Sequence, residues 1–176
     1  MKAIYKYDGP IGPYLVQETD GALTRIWVGN RLERVSHDGE WQETPLLAEA
    51  DRQLKAYFER RLTCFDLPWR LEGTPFQLKI WRLLQEIPYG TVITYGELAR
   101  RSGDEKACRA VGMANGRNPL PILIPCHRVI GAHGKLTGYT GGLSVKVALL
   151  RVEGWQVSPD ERTLLRVAAS QRHLLG

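Results

Sequence analysis

The chain has 176 residues, 43% of them hydrophobic, with a formal net charge of +5 and three cysteines. That length suits one sizeable core or two small ones, and no apolar run approaches the ~20 residues of a membrane span. An odd cysteine count (Cys64, Cys108, Cys126) without a CxxC pair, together with four scattered histidines, argues against a disulfide scaffold or a structural zinc site.

The N-terminal stretch MKAIYKYDGPIG lacks the apolar core of a signal peptide, so the expectation is a cytoplasmic protein with reduced thiols. GPYLVQET and ALTRIWVG flank Asp20-Gly21, a hairpin signal. Leu47, Ala50, Leu54, Tyr57 and Phe58 then recur at helical spacing. Pro68 and Gly73 break the pattern. The predicted division is an N-terminal α/β domain over 1–73, a second domain over 74–157, and a tail over 158–176 that could open a helix at Ser158-Pro159. Charge is divided unevenly: residues 1–73 carry 10 Lys+Arg against 12 Asp+Glu, net −2, and residues 74–176 carry 14 against 7, net +7. Two readings stand for the second half, simple solubility or a face for a polyanion.

The second part opens on Thr74-Pro75-Phe76-Gln77, a capping box with proline at the first helical position; Phe76, Ile80, Leu83, Leu84 and Ile87 form its apolar face. Thr94-Tyr95-Gly96-Glu97 is a second capping box. After Ser102-Gly103 comes DEKACRAVGMANG, with Ala107, Val111 and Ala114 on one face and Arg109, Gly112, Met113 and Gly116 on another. Cys108 is expected to pack inward and Cys64 to be inert. Two short helices joined by a glycine turn fit either a helix-turn-helix or any αα-hairpin. The sparse outer face of the second helix, with only Arg109 and Met113 projecting, favours the former.

Asn118-Pro119 and Pro121 direct an extended path into Ile122-Leu123-Ile124, read as a buried strand that ends at Pro125 and delivers Cys126, His127 and Arg128. A thiol is a strong nucleophile only as thiolate, so a base or a positive neighbour is needed. His127 supplies the first and Arg128 the second. On an extended chain neighbours point apart, so a water would bridge Cys126 and His127. Glu153, at the end of the helix LSVKVALLRVEG and just before Gly154, is one acceptor that could orient the imidazole. Against this, most free cysteines are small buried hydrophobes, and a histidine or helix-end carboxylate is usually structural.

GTPFQLKIWRLL, YGTVITYGELA, RAVGMANGRNPLPILIPCHRVIG and TGYTGGLSVKVALLRVEG resemble the O6-alkylguanine-DNA alkyltransferases (methylated-DNA–protein-cysteine methyltransferases), almost unbroken from about residue 73 to 154. The resemblance implies a ribonuclease-H-like α/β N-terminal domain and a winged helix-turn-helix C-terminal domain. It also implies stoichiometric transfer of an alkyl group from guanine O6 and, as its weaker implication, from thymine O4 to a protein thiol. On that pattern Cys126 is the acceptor, His127 deprotonates it through a water, Glu153 stands behind the histidine, and Asn118 braces the turn. Tyr95 donates to guanine N3. Tyr139, Thr140, Gly141 and Val129 belong to the pocket, with the carbonyls of Cys126 and Val129 accepting from the guanine amino group. Arg109 fills the base stack, and Thr94, Ala110, Gly112, Ala114 and Arg117 line the DNA face, Arg117 being either a phosphate contact or solvated. The implied partner is double-stranded DNA approached through the minor groove by a monomer, with no metal, no cofactor and no membrane. Two rivals are kept: a cysteine hydrolase using Cys126, His127 and Glu153, and a non-enzymatic helix-turn-helix protein.

Overall fold

The computed structural model describes residues 1–139 and 141–165. Its first element is a sheet. β1 (Lys2–Gly9) and β2 (Gly12–Thr19) pair antiparallel from Lys2↔Thr19 to Gly9↔Gly12, and β3 (Ala22–Val28) follows antiparallel to β2. The β2–β3 turn is the expected one: Asp20 and Gly21 both have positive φ (50° and 83°), which a tight hairpin with right-handed twist requires. The two-residue β4 (Glu40–Trp41) adds parallel to β1, giving the order β3-β2-β1-β4.

α1 (Pro45–Phe58) covers this sheet. Thr44 caps it by accepting from the Leu47 amide at 3.1 Å, an interaction worth ~1 kcal/mol. All five apolar positions that predicted the helix are buried. The segment after it is tied down: Leu23 N donates to Pro68 O and Arg70 N to Leu23 O, so the Pro68 break runs beside β3.

In the second half, α2 (Pro75–Gln85) starts with both halves of its capping box. Its buried face is Ile80, Trp81 and Leu84, with Ile87 beyond its end; Phe76, expected there, lies in the first turn and is exposed. α3 (Tyr95–Ser102) forms only half of its predicted box. Thr94 Oγ1 accepts from the Glu97 amide, but the Glu97 carboxylate turns to Arg100 and Arg101 instead. α4 (Cys108–Gly116) follows across a turn in which Gly103 takes φ 100°. β5 (Ile93–Thr94) and β6 (Val129–Ile130) form a short parallel ladder, and α5 (Leu143–Val152) ends at Glu153 with Gly154 at φ 94°.

Three expectations are corrected here. Ile122-Leu123-Ile124 is not a strand. It is a buried turn in which Ile124 N donates to Leu120 O and Ile122 has φ 77°, and Cys126–Arg128 is a single 3-10 turn, not extended chain. Cys108 is exposed, because the first turn of α4 faces solvent there. Ser158-Pro159 begins no helix over the described residues. The Ser158 hydroxyl and Asp160 carboxylate hold a loop between β7 (Gln156–Val157) and β8 (Leu164–Leu165), accepting from the Thr163 and Arg162 amides. The remainder of the tail, 166–176, lies outside the described residues.

The two halves share one apolar core. Leu47, Leu54 and Tyr57 from the first join Ile80, Leu84, Val111, Leu123, Val129 and Leu149 from the second, and Cys126 belongs to the same cluster.

Candidate active site

Cys126 is held by the turn before it. Asn118 Oδ1 accepts from Leu120 N at 3.0 Å, and its Nδ2 donates to Ile124 O at 2.7 Å. One buried amide side chain therefore closes both ends of a turn whose middle residue, Ile122, occupies left-handed backbone space that β-branched residues avoid, at ~1–3 kcal/mol. Behind the thiol, Asn115 Nδ2 donates to Cys126 O at 3.3 Å, and Lys146 Nζ donates to Val129 O at 2.7 Å and to Thr137 O at 3.3 Å. The Cys126 carbonyl also accepts from the Val129 amide across the 3-10 turn.

Cys126 is 3% exposed, and its thiol donates to the Tyr139 hydroxyl at 3.8 Å. Burial pushes the thiol up from its ordinary value; Asn118, Tyr139, Arg31 and Lys146 all pull the other way. Lys146 is itself fully buried and brought down to about 8 by desolvation, with Cys126 opposing. Tyr95 and Tyr139 are both raised, by burial first and then by Cys126, so both keep their protons and can donate them.

Glu153 is the hub of the site. Its Oε1 accepts from Gly90 N at 2.9 Å and Arg128 Nε at 2.8 Å. Its Oε2 accepts from His127 Nε2 at 2.6 Å, Tyr57 Oη at 2.5 Å and Arg128 Nη2 at 3.1 Å. Burial works against ionising Glu153, but His127 and Arg128 outweigh it and hold the carboxyl well below the usual carboxylate range. An ionised carboxylate only accepts, so His127 Nε2 must carry the proton. Burial also lowers His127 below its ordinary value, against the pull of Glu153, so the pair is a neutral imidazole beside a carboxylate despite its ion-pair distance. The lone pair then sits on Nδ1, which is buried and makes no hydrogen bond among the described residues. Tyr57 Oη lies 3.3 Å from Nε2, but both atoms are donors to Glu153, so this is contact and not a bond.

Tyr95, Arg109, Gly112, Met113, Tyr139 and Arg117 line a cavity of about 530 Å³ beside α4. Met113 is 55% exposed, and a Cβ on Gly112 would reach the Tyr95 ring at 3.9 Å, so nothing crowds the outer face between them. Ala110 is on this exposed side, and Thr94 is half-buried as the cap of α3. Ala114 is not on it. It lies three residues after Val111, is buried, and its carbonyl accepts from Trp81 Nε1 at 2.9 Å. Gly141 is buried against the N-terminal half, where its carbonyl accepts from Asn30 N at 3.0 Å and a Cβ would strike Val28 and Tyr139. Thr140 lies outside the described residues.

The sequence did not point to Tyr57, Arg31, Asn115 or Lys146 as parts of this site. Tyr57 read as one of five core positions of α1, and only the docking of α1 on α5 brings its hydroxyl to Glu153. Arg31, 85 and 87 residues from its partners, donates to Gly116 O and Asn118 O. A buried lysine within a helix that is otherwise apolar there was the one available signal for Lys146.

Residues 4–71 match the family described as 6-O-methylguanine DNA methyltransferase, ribonuclease-like domain, and residues 75–155 its DNA binding domain. The chain is 47% identical over 149 residues to a methylated-DNA–protein-cysteine methyltransferase of Methanosarcina acetivorans, covering 84% of this chain and 96% of the relative. It is 49% identical over 158 residues to the one from Mycolicibacterium paratuberculosis, covering 89% and 94%. Among solved structures it is similar to Mycobacterium tuberculosis OGT in complex with DNA, at TM-score 0.79 and 45% identity over 86% of this chain and 92% of that one. It is also similar to the O6-methylguanine-DNA methyltransferase of Pyrococcus kodakaraensis, at TM-score 0.64 and 27% identity over 88% and 99%.

Proposed function

The chain belongs to the O6-methylguanine-DNA methyltransferase family, a ribonuclease-like N-terminal domain joined to a DNA-binding domain, and it repairs alkylated DNA as a methylated-DNA–protein-cysteine methyltransferase; from there we propose which of its residues do the work. Cys126 is the alkyl acceptor. Its sulfur attacks the alkyl carbon, the C–S bond forms, the C–O6 bond breaks, and the electron pair leaves with guanine. The thiol proton passes through a water to His127 Nδ1. The observation that carries this is that buried, unbonded Nδ1, whose lone pair is fixed by the Nε2–H bond to Glu153. Tyr95 donates a proton to the leaving base, since guanine N3 gains charge as O6 departs. Tyr139 forms the pocket wall over the sulfur.

The target atom is hidden inside a duplex, so the nucleotide is flipped out at a cost of a few kcal/mol, and Arg109 occupies the gap it leaves. The α4 face, bare around Gly112, suits the narrow minor groove. One chain supplies every group of the site, so the reading is of a monomer. A thioether is not hydrolysed under these conditions, so each molecule acts once, on O6-alkylguanine and, as the weaker implication of the resemblance, on O4-alkylthymine. Cys126→Ala is expected to leave the label on alkyl-labelled duplex while still binding it. Label on the protein of this variant would remove Cys126 from the role, and continuous release of a hydrolysed product by the parent chain would favour a cysteine hydrolase.

A further inference from the structure

A second cavity, of about 880 Å³, lies between the N-terminal sheet and the C-terminal end of α4. It is contiguous with the pocket mouth, because Gly116 and Arg117 line both. Its cations are Arg25, Arg31, Arg34 and Arg117, and its carboxylates are Glu33 and Glu72, so positive charge is in excess. Arg31 is committed to the Gly116 and Asn118 carbonyls.

The other three are not committed. Arg25 leans on the Trp27 ring at 5.7 Å, and among the described residues neither it, Arg34 nor Arg117 forms an ion pair. Arginines on other faces do: Arg52 with Glu49, Arg61 with Glu59, Arg100 and Arg101 with Glu97, Arg151 with Glu161. Arg109, at the opposite end of α4, also lacks a carboxylate. Arg60, Arg70 and Arg82 on other faces also form no ion pair, but each donates to a backbone carbonyl; what sets this cleft apart is that Arg25, Arg34 and Arg117 gather on one concave, net-positive surface that suits a polyanion. The distance fits as well. A nine-residue helix is ~13 Å long, so a strand passing Arg109 and the pocket mouth reaches Arg117 within a few phosphates.

We propose that this interdomain cleft binds phosphates of the DNA strand flanking the flipped nucleotide through Arg25, Arg34 and Arg117, which makes the N-terminal domain part of the DNA interface. The proposal rests on the reading that α4 faces DNA. It also revises the charge argument. Residues 1–73 are net −2, yet three of their arginines face this one cleft.

The test uses the full-length double variant Arg25→Ala/Arg34→Ala, in which one side chain is exposed on β3 and the other at the end of the 3-10 turn Gly29–Arg34. Affinity for a short duplex with one O6-methylguanine is measured across a salt series, alongside alkyl transfer from free O6-benzylguanine. The expected result is duplex binding weaker by about tenfold at low salt, a log–log salt slope shallower by about two, and unchanged transfer from the free base. Unchanged affinity and slope would overturn the proposal. So would a loss confined to duplexes long enough for several copies, which would place the arginines between protein molecules. If the parent chain transfers nothing from either substrate, the reading of the site fails first.

Discussion

At Glu153 five donors converge on one buried carboxylate, while on the outer face of α4 Arg109 and Arg117 form no ion pair among the described residues. The interior spends its donors on a single geometry: the histidine tautomer, the helix end and the docking of α1. The exterior leaves its donors for a partner. Substitutions inside should therefore alter stability and chemistry on every substrate. Those outside should alter only what happens on a duplex, and in a salt-dependent way.

The largest break is expected at the hub. Glu153→Gln leaves Arg128 buried without its countercharge, and such changes destabilise by about 3 to 5 kcal/mol. Denaturant unfolding checks this, and a loss under about 1 kcal/mol would mean that the carboxylate is not the hub.

Acidification probes the same cluster. Glu153 is held below its unfolded value, so its stabilisation is complete above about pH 4.5 and is lost as the pH falls further. His127 is also lowered, so the unfolded chain takes up a proton below about pH 6.5 that the folded chain refuses. Thermal stability should decline from about pH 6.5 downward and steepen below about 4.5. A flat profile to pH 4 would contradict the neutral-histidine assignment.

Tyr57→Phe removes one hydrogen bond to a charged group and should destabilise by about 1.5 to 3 kcal/mol. It should also shift the pH profile of Cys126 alkylation, because the carboxylate that orients His127 gains charge density. A stability loss with an unmoved profile would reduce Tyr57 to a domain clamp. The smallest effect belongs outside. Arg109→Ala should slow repair in duplex by about tenfold, part of the few kcal/mol of unstacking, and leave reaction with free O6-benzylguanine unchanged. Equal losses on both substrates would erase the distinction between the two regions.

Legibility in the sequence followed the same divide. Local signals were readable. The Asp20-Gly21 turn, the α1 periodicity, the Thr74 box and the Gly154 stop each depend on residues a few positions apart, and each is found. Short apolar runs were not. Ile122-Leu123-Ile124 has the composition of a strand, and what bends it is one side chain just upstream, Asn118, satisfying both ends of a turn, a tie that composition does not reveal. The halves of the site that come from the N-terminal domain were invisible for a related reason. Tyr57 and Arg31 reach their partners only through tertiary docking, where Gly29 (φ 54°) lets the backbone press against the Gly141 carbonyl. Ala114 shows the limit of face counting on a short helix, since one position separates the buried side from the exposed side.

The most direct test of the central claim is the mass of the intact protein after exposure to excess duplex carrying one O6-methylguanine. The account predicts one added methyl group per chain, located on the peptide containing Cys126, with no second addition and with guanine restored in the DNA. An unaltered mass with the lesion still present, or a methyl group on Cys64 or Cys108, would contradict it.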